Sequence, residues 1–341
     1  MTKKIVVALG GNAILTNDPT ATGQQKTLVE TAQSLAALVE KGYKLLITHG
    51  NGPQVGNLLL QQKAGATQTN PAMPLDTNVA MTQGSIGYWL AQALTNELKK
   101  RGIEKSIVGL FTQVIVSEED PGFKQPTKPI GPFMTKEQAE KETRMTDSIF
   151  KEDAGRGWRK VVASPKPIDI VESKVIKTLV DSDVIVIAGG GGGIPVIQTG
   201  EGLRGKEAVI DKDFASEKLA EIIDANELII LTGVANVAVH FNTPQQKELK
   251  KIDIETLEKY KDNGEFAPGS MLPKVEAALE FVKKKPNARA VITSLENLDK
   301  LLKENAGTII YSSQNLEQKS HLVDILTYEH LDVYKRQRFY Y

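Results

Sequence analysis

Two lysines stand in company that solvated surface lysines do not keep. Lys212 is bracketed by carboxylates in Val209-Ile210-Asp211-Lys212-Asp213-Phe214-Ala215, ahead of a helical pattern whose apolar face carries Leu219, Ile222 and Ile223. A lysine between two carboxylates is held charged and in place, so it can stabilise the charge on a group in transfer, above all a phosphoryl group, while a carboxylate orients the cations. A solvated turn with Asp211 as the helix cap is the other reading of the same three residues. Lys274 ends the turn Phe266-Ala267-Pro268-Gly269-Ser270-Met271-Leu272-Pro273 and opens the amphipathic stretch Val275–Val282. A first-turn lysine opposes the positive end of the helix dipole, which favours an anion between them. Lys128, in Pro126-Thr127-Lys128-Pro129, reads equally as a substrate contact or a solvated loop lysine.

Glycine-rich turns supply the complementary chemistry. Short apolar runs lead directly into Gly10-Gly11-Asn12-Ala13, into His49-Gly50-Asn51-Gly52-Pro53-Gln54, and into five glycines, Gly189–Gly193. Without a Cβ, backbone N–H groups can approach an anion, and a helix start adds partial positive charge. Three such turns together predict a phosphate or carboxylate pocket. The familiar nucleotide signatures are absent: no G-x-G-x-x-G follows a strand, and the segment from Gly200 to Glu207 imitates a phosphate-binding loop with Glu207 where the Mg²⁺-binding hydroxyl belongs. His49 fits a substrate contact or a structural hydrogen bond, and no histidine spacing points to a metal site or a nucleophilic triad. Phosphoryl transfer requires positioning and charge neutralisation, and no covalent nucleophile.

The elements that must position these residues follow from hydrophobic period. Strands are predicted at Lys4–Leu9, Lys44–Thr48, Ile107–Phe111, Asp183–Ala188, Glu227–Thr232, Arg289–Thr293 and Thr308–Ile310, nearly continuous in apolar residues and so buried on both faces. Helical patterns lie between them, at Leu28/Ala32/Leu35/Leu38/Val39, Ile86–Leu98, Phe214–Ile223 and Val275–Val282. The alternation predicts an α/β sandwich around a mainly parallel sheet, with ligands beyond the carboxyl ends of the strands. Between about residues 117 and 160 prolines, glycines and charges replace this rhythm, which predicts a lid or small subdomain, with an ordinary long loop as the alternative.

Composition narrows the class. The chain has 341 residues, with 42 Lys+Arg against 42 Asp+Glu, which removes the broad basic footprint of a general nucleic-acid binder and favours a small anionic partner. Cysteine is absent, which excludes disulfides, thiolate metal sites and a cysteine nucleophile and suits a reducing compartment. No stretch approaches the roughly 18 apolar residues of a membrane span, and the N-terminus lacks a signal-peptide core. The expectation is a cytoplasmic protein with neither a membrane nor a nucleic-acid partner.

Taken in order, the segments VVALGGNAIL, THGNGPQVGNLLLQ, MTQGSIGYWLAQAL, PIGPF, GWRKVVASPKP, IAGGGGGIPV, AVIDKDFAS and FAPGSMLPKVEAA resemble the carbamate kinases of the amino acid kinase superfamily. The resemblance runs from residue 5 to about residue 282, and weakly to residue 310. It implies a three-layer αβα sandwich with a protruding subdomain, a homodimer, and reversible phosphoryl transfer between ADP and carbamoyl phosphate, giving Mg²⁺-ATP and carbamate, which falls to ammonia and carbon dioxide. Such enzymes commonly form ATP at the end of fermentative arginine breakdown. Carried onto this chain, the resemblance places Gly10, Gly11, Asn12, Gly50, Asn51 and Gly52 around the carbamoyl or transferring phosphoryl group. Lys212 would stabilise that group, Asp213 would position the lysines, and Lys128 would reach in from the subdomain. Lys274, Gly269, Met271, Gly233 and Asp211 would attend the nucleotide, with Mg²⁺ arriving on its phosphates and no side chain acting as a metal ligand. The first turn carries no lysine after it, unlike the related acetylglutamate kinases, which shifts that charge to Lys212 and favours carbamate over larger acids. Gly233, Ala235, Leu272 and Asn78 depart from the family's usual residues, and Gly233 and Ala235 do so near the expected base site. Another phosphotransferase of the superfamily and a non-catalytic nucleotide- or carbamoyl-phosphate-binding regulator are the alternatives.

The expected domain is residues 1–310, with the subdomain inserted at about 117–160 and a tail over 311–341 outside the family pattern. The tail holds five of the eight tyrosines and two of the four histidines but no glycine. Within it, Asp332-Val333-Tyr334-Lys335-Arg336-Gln337 matches the in-frame translation of a transposon-type sequencing adapter, and the tail is expected to be non-native in part.

Overall fold

The computed structural model describes residues 2–15, 18–146, 148–153, 155–304 and 306–314. The readings of the tail beyond residue 314 lie outside the described residues. Among those residues eight strands form the central sheet: β1 (Lys4–Leu9), β2 (Lys44–His49), β3 (Ile107–Gly109), β4 (Ile185–Ile187), β5 (Glu227–Thr232), β6 (Lys251–Asp253), β7 (Arg289–Ser294) and β8 (Thr308–Tyr311). Their spatial order is β6-β8-β7-β5-β1-β2-β4-β3. The six strands from β7 to β3 run parallel, β8 is antiparallel to β7, and β6 is parallel to β8. All seven runs expected from apolar content are strands of this sheet. β3 is shorter than expected because Phe111 turns out to solvent, and β4 starts late because Asp183 takes a left-handed turn at φ +67. β8 runs one residue beyond the expected limit, to Tyr311, which pairs with Asp253.

Of the helices α1 (Ala21–Glu40), α2 (Gly52–Gly65), α3 (Leu75–Lys100), α4 (Ser173–Asp181), α5 (Lys212–Ile222), α6 (Ile254–Asp262), α7 (Met271–Lys284) and α8 (Leu298–Glu304), all but α2 flank the sheet. Side chains alternate across a strand, so β1 feeds two cores. Ile5, Val7 and Leu9 pack with Leu28 and Leu35 of α1, Ile86 and Leu90 of α3 and Leu298 of α8. Val6 and Ala8 pack with Ile176 of α4, Leu219 of α5, Leu257 of α6 and Phe281 of α7. The result is the three-layer αβα sandwich. β1 continues on one side into β2 and meets β5 on the other, a topological switch point whose crevice opens at the strands' carboxyl ends.

The irregular stretch contains regular structure of its own. Strands Lys128–Met134, Ile149–Glu152 and Trp158–Val162 form a three-stranded antiparallel sheet, and helix Lys136–Met145 starts at a capping box made by Thr135 and Gln138. The first of these strands crosses α2 where two glycines meet: a Cβ on Gly56 would lie 3.2 Å from the Cα of Gly131. Ile130 and Val162 complete a small core with Val55 of α2 and Leu75 and Val79 of α3. Another four-stranded sheet was not foreseen: Gly202–Gly205, Ile194–Thr199, Gln113–Ile115 and Asp169–Ile170, in that order. The segment imitating a phosphate-binding loop forms part of its edge hairpin and contains no strand-to-helix turn.

Candidate active site

Asp211 caps α5, its Oδ1 accepting the Asp213 amide at 2.9 Å, so Lys212 and Asp213 fall in the first helical turn at the crevice. The capping reading therefore holds without displacing the functional one. Asp213 is almost fully buried, and its two carboxylate oxygens take different lysines: Lys212 Nζ at 2.6 Å and Lys274 Nζ at 2.8 Å. The anion expected opposite Lys274 at the start of α7 is thus Asp213 itself. Burial alone would raise the Asp213 carboxyl, but the two ammonium groups outweigh it and hold it at about 2. Burial pushes Lys212 down, with Lys274 adding to that and Asp213 opposing it. The side chains of both lysines keep about one-seventh of their surface exposed, at 14% and 15%. Two partly open ammonium groups on one buried carboxylate can neutralise oxygens of a bound phosphate.

Lys128 reaches from the subdomain to the same helix start, with Nζ 2.5 Å from Asp211 Oδ2. It is neither a solvated loop lysine nor a remote one. Gly269, at φ +72, and Met271 form the entry to α7, whose N-cap Ser270 makes no side-chain capping bond. Gly233 follows β5 and is exposed; a Cβ there would lie 3.1 Å from Asn12 Nδ2. A cleft of about 50 Å³ lies along this edge, lined by Gly10, Asn12, Thr232, Gly233 and Glu296 among others.

The first two glycine turns are open in part: Gly10 is buried, and a Cβ there would lie 2.5 Å from Leu231 O. A Cβ on Gly11 or Gly52 would meet no heavy atom within 4 Å. Gly50 leaves room for the lysine stem, since its Cβ would lie 3.5 Å from Lys212 Cδ. Asn51, expected around the transferring group, has its side chain turned into the protein. It is buried, and its Nδ2 donates to Thr82 Oγ1 at 2.8 Å, so α2 begins without a side-chain cap.

The third turn corrects the three-turn pocket. All five glycines from Gly189 to Gly193 are buried, and a Cβ on any of them would collide within 2.8 Å, with Leu219, His49, Asn51, Ile210 and Val114 in turn. Three of its amides are already bonded: Gly189 N to Thr112 Oγ1, Gly192 N to Gly189 O and Gly193 N to Gly190 O. The glycines here admit neighbouring side chains, and the turn is no backbone cradle. His49 is likewise structural: buried, with Nδ1 against Gly50 O at 2.8 Å, and lowered to about 4 by burial.

Residues that the sequence reading missed hold these turns. Gln83 of α3 donates to Gly190 O at 2.9 Å and accepts the Thr112 amide at 3.0 Å, while neighbouring Thr82 holds Asn51. Thr48 and Ser216 meet at 2.6 Å between β2 and α5. Their signal was slight, because polar side chains on otherwise apolar strands and helices carry no motif. No group of three or more His, Asp or Glu that could hold a metal occurs among the described residues.

Comparison with known proteins gives a consistent result. The profile of the Amino acid kinase family matches residues 3–294. Carbamate kinase 1 of Enterococcus faecium is 59% identical over 311 residues, 91% of this chain and 99% of that protein. Carbamate kinase of Lentilactobacillus hilgardii is 57% identical, covering 91% and 98%. Among solved structures, carbamate kinase from Giardia lamblia bound to AMP-PNP superposes with a TM-score of 0.85 at 40% identity, covering 92% of this chain and 99% of that one.

Proposed function

The chain belongs to the amino acid kinase family, and within it to the carbamate kinases, and from that premise we propose how its residues share the phosphoryl transfer. The observation that carries the proposal is the buried Asp213 carboxylate shared between Lys212 and Lys274. In the ATP-forming direction, a terminal oxygen of the ADP β-phosphate attacks phosphorus, the bond from phosphorus to the carbamoyl oxygen breaks, and carbamate leaves as an anion. Lys212 neutralises the equatorial oxygens during transfer, Lys274 holds nucleotide phosphate, and Asp213 keeps both ammonium groups aimed. Gly10, Gly11, Asn12 and Gly52 offer backbone and amide donors to the carbamoyl phosphate end, while Gly50, whose amide bonds Leu9 O at 3.2 Å, lines it without donating. Asn51 acts indirectly, through the shape of its turn. Lys128 exchanges Asp211 for a substrate oxygen when the site fills, and Gly233, Gly269 and Met271 border the nucleotide.

Mg²⁺ belongs to the nucleotide substrate in this reading. Both oxygens of Asp213 are engaged by lysines and Asp211 Oδ1 by the Asp213 amide, so phosphate oxygens would supply most of the metal's ligands. The family resemblance supports the last, ATP-yielding step of fermentative arginine breakdown, in the cytoplasm. No helix among the described residues is long and apolar enough to cross a membrane. A homodimer is supported by the resemblance and by apolar side chains left exposed on one side of the sandwich, Met81 and Tyr88 of α3 and nearby Phe111.

A coupled assay of ATP formed from ADP and carbamoyl phosphate, with and without Mg²⁺, tests the reaction, and no ATP above the enzyme-free rate refutes it. Lys212→Ala is expected to cut turnover by about 10²–10³-fold, the range for losing one preorganised transition-state donor, with nucleotide affinity little changed. Equal loss of turnover and affinity would remove the role given to Lys212.

A further inference from the structure

We infer that Thr48 and Ser216 are positioning residues that set where Lys212 stands, through a chain of buried hydroxyls with a fixed direction. Both side chains are fully buried, so neither touches substrate. Ser216 Oγ donates to the Lys212 carbonyl at 2.6 Å. A serine has one hydroxyl proton, so in the 2.6 Å contact between Thr48 Oγ1 and Ser216 Oγ the threonine must be the donor. The order is Thr48 to Ser216 to the backbone of Lys212, each bond polarising the next.

The methyl group of Thr48 lies on the side of the buried glycine turn. Its Cγ2 faces Gly189, where a Cβ would lie 3.6 Å away, so exchanging methyl and hydroxyl would turn the donor towards the buried glycine turn and away from Ser216. The strand that carries Thr48 delivers Gly50 two residues later, and Gly50 is where the Lys212 stem rests. β2 therefore meets α5 at two points, a hydroxyl chain to the Lys212 backbone and a bare glycine under its side chain. Together they fix the ammonium relative to the open Gly50–Gly52 turn. Misplacement of a reacting geometry by about 1 Å can cost ~10²-fold in rate, so two hydroxyls outside the substrate's reach can govern turnover.

This inference rests on the role proposed for Lys212, and the test separates the two. Thr48→Val, Thr48→Ser and Ser216→Ala are made in the full chain and again in a Lys212→Ala background, with kcat, KM for ADP and Tm measured for each. Thr48→Val and Ser216→Ala are expected to lower kcat by about tenfold while KM for ADP stays within about twofold, and Thr48→Ser to retain kcat. In the Lys212→Ala background the same substitutions should cost no further turnover, because the residue they position is gone. The inference is overturned if folded Thr48→Val and Ser216→Ala keep wild-type kcat, or if they lose the same factor without Lys212. If Lys212→Ala itself keeps wild-type turnover, the reading of Lys212 falls first and this one with it.

Discussion

Asp213 shows how little of a residue's work lies in its own neighbourhood of sequence. The bracket Asp211-Lys212-Asp213 marked the place, and the lysine's proximity to a carboxylate was legible there. That the same carboxylate also holds Lys274 was not, because that contact spans 61 positions and depends on α5 and α7 packing side by side. Its low pKa has a definite sign. A carboxyl moved from 3.8 to about 2 contributes stability that is complete above the unfolded value and is lost as pH falls through 2. Across neutral pH Asp213 therefore stays ionised, and turnover should not follow this carboxyl between pH 5 and 8. Asp213→Asn removes the shared anion and leaves two ammonium groups facing each other in a mostly buried site. We expect kcat to fall by about 100-fold or more and stability by about 3–5 kcal/mol, the cost of breaking a buried ion pair, read by ATP formation and denaturant unfolding. A variant with wild-type turnover would show that the lysines need no shared partner.

At the scale of elements, apolar continuity made seven strands of the central sheet readable, because a strand buried on both faces must be apolar at nearly every position. β6 escaped, since Lys251-Ile252-Asp253 exposes its lysine and buries only Ile252. The four-stranded sheet escaped for the same reason: its strands are two to six residues long, and Gly202–Gly205 is exposed throughout. Glycine turns were legible as turns but not by purpose. Gly11 and Gly52 leave open space, whereas Gly191, at φ +66, lies where a Cβ would approach Asn51 Nδ2 to 2.2 Å. Gly191→Ala must push that amide off Thr82 and hold alanine in a left-handed conformation, a strain of order 1 kcal/mol or more. It is expected to lower both Tm and kcat, with Gly11→Ala as the sterically neutral control for Tm. Unchanged Tm in Gly191→Ala would mean that the turn has slack which the packing does not show.

At the scale of the whole molecule, β8 and the residues just after it carry contacts that bear on where a working truncation can end. The expected boundary at residue 310 cuts through them. Tyr311 is paired to Asp253, its ring lies 4.9 Å from Lys251 Nζ, Ser312 is 3% exposed, and Ser313 Oγ donates to Glu255 Oε1 at 3.1 Å. These contacts tie β8 to β6 and to the start of α6, and α6 packs into the same core as α5 and α7. The Enterococcus faecium and Lentilactobacillus hilgardii relatives align over 311 residues and 98–99% of their own length, which is 30 residues fewer than the 341 of this chain. We propose that the catalytic unit is complete by about residue 314. A chain ending at residue 314 should match the full chain in Tm and in ATP formation. A chain ending at residue 310 removes the ring over Lys251, a buried serine and the Glu255 bond, and should lose about 1–3 kcal/mol in denaturant unfolding while keeping kcat, because none of these groups approaches Lys212. If the longer truncate also lost turnover, residues past 314 would belong to the working enzyme, and the adapter-like reading of its end would fail with it.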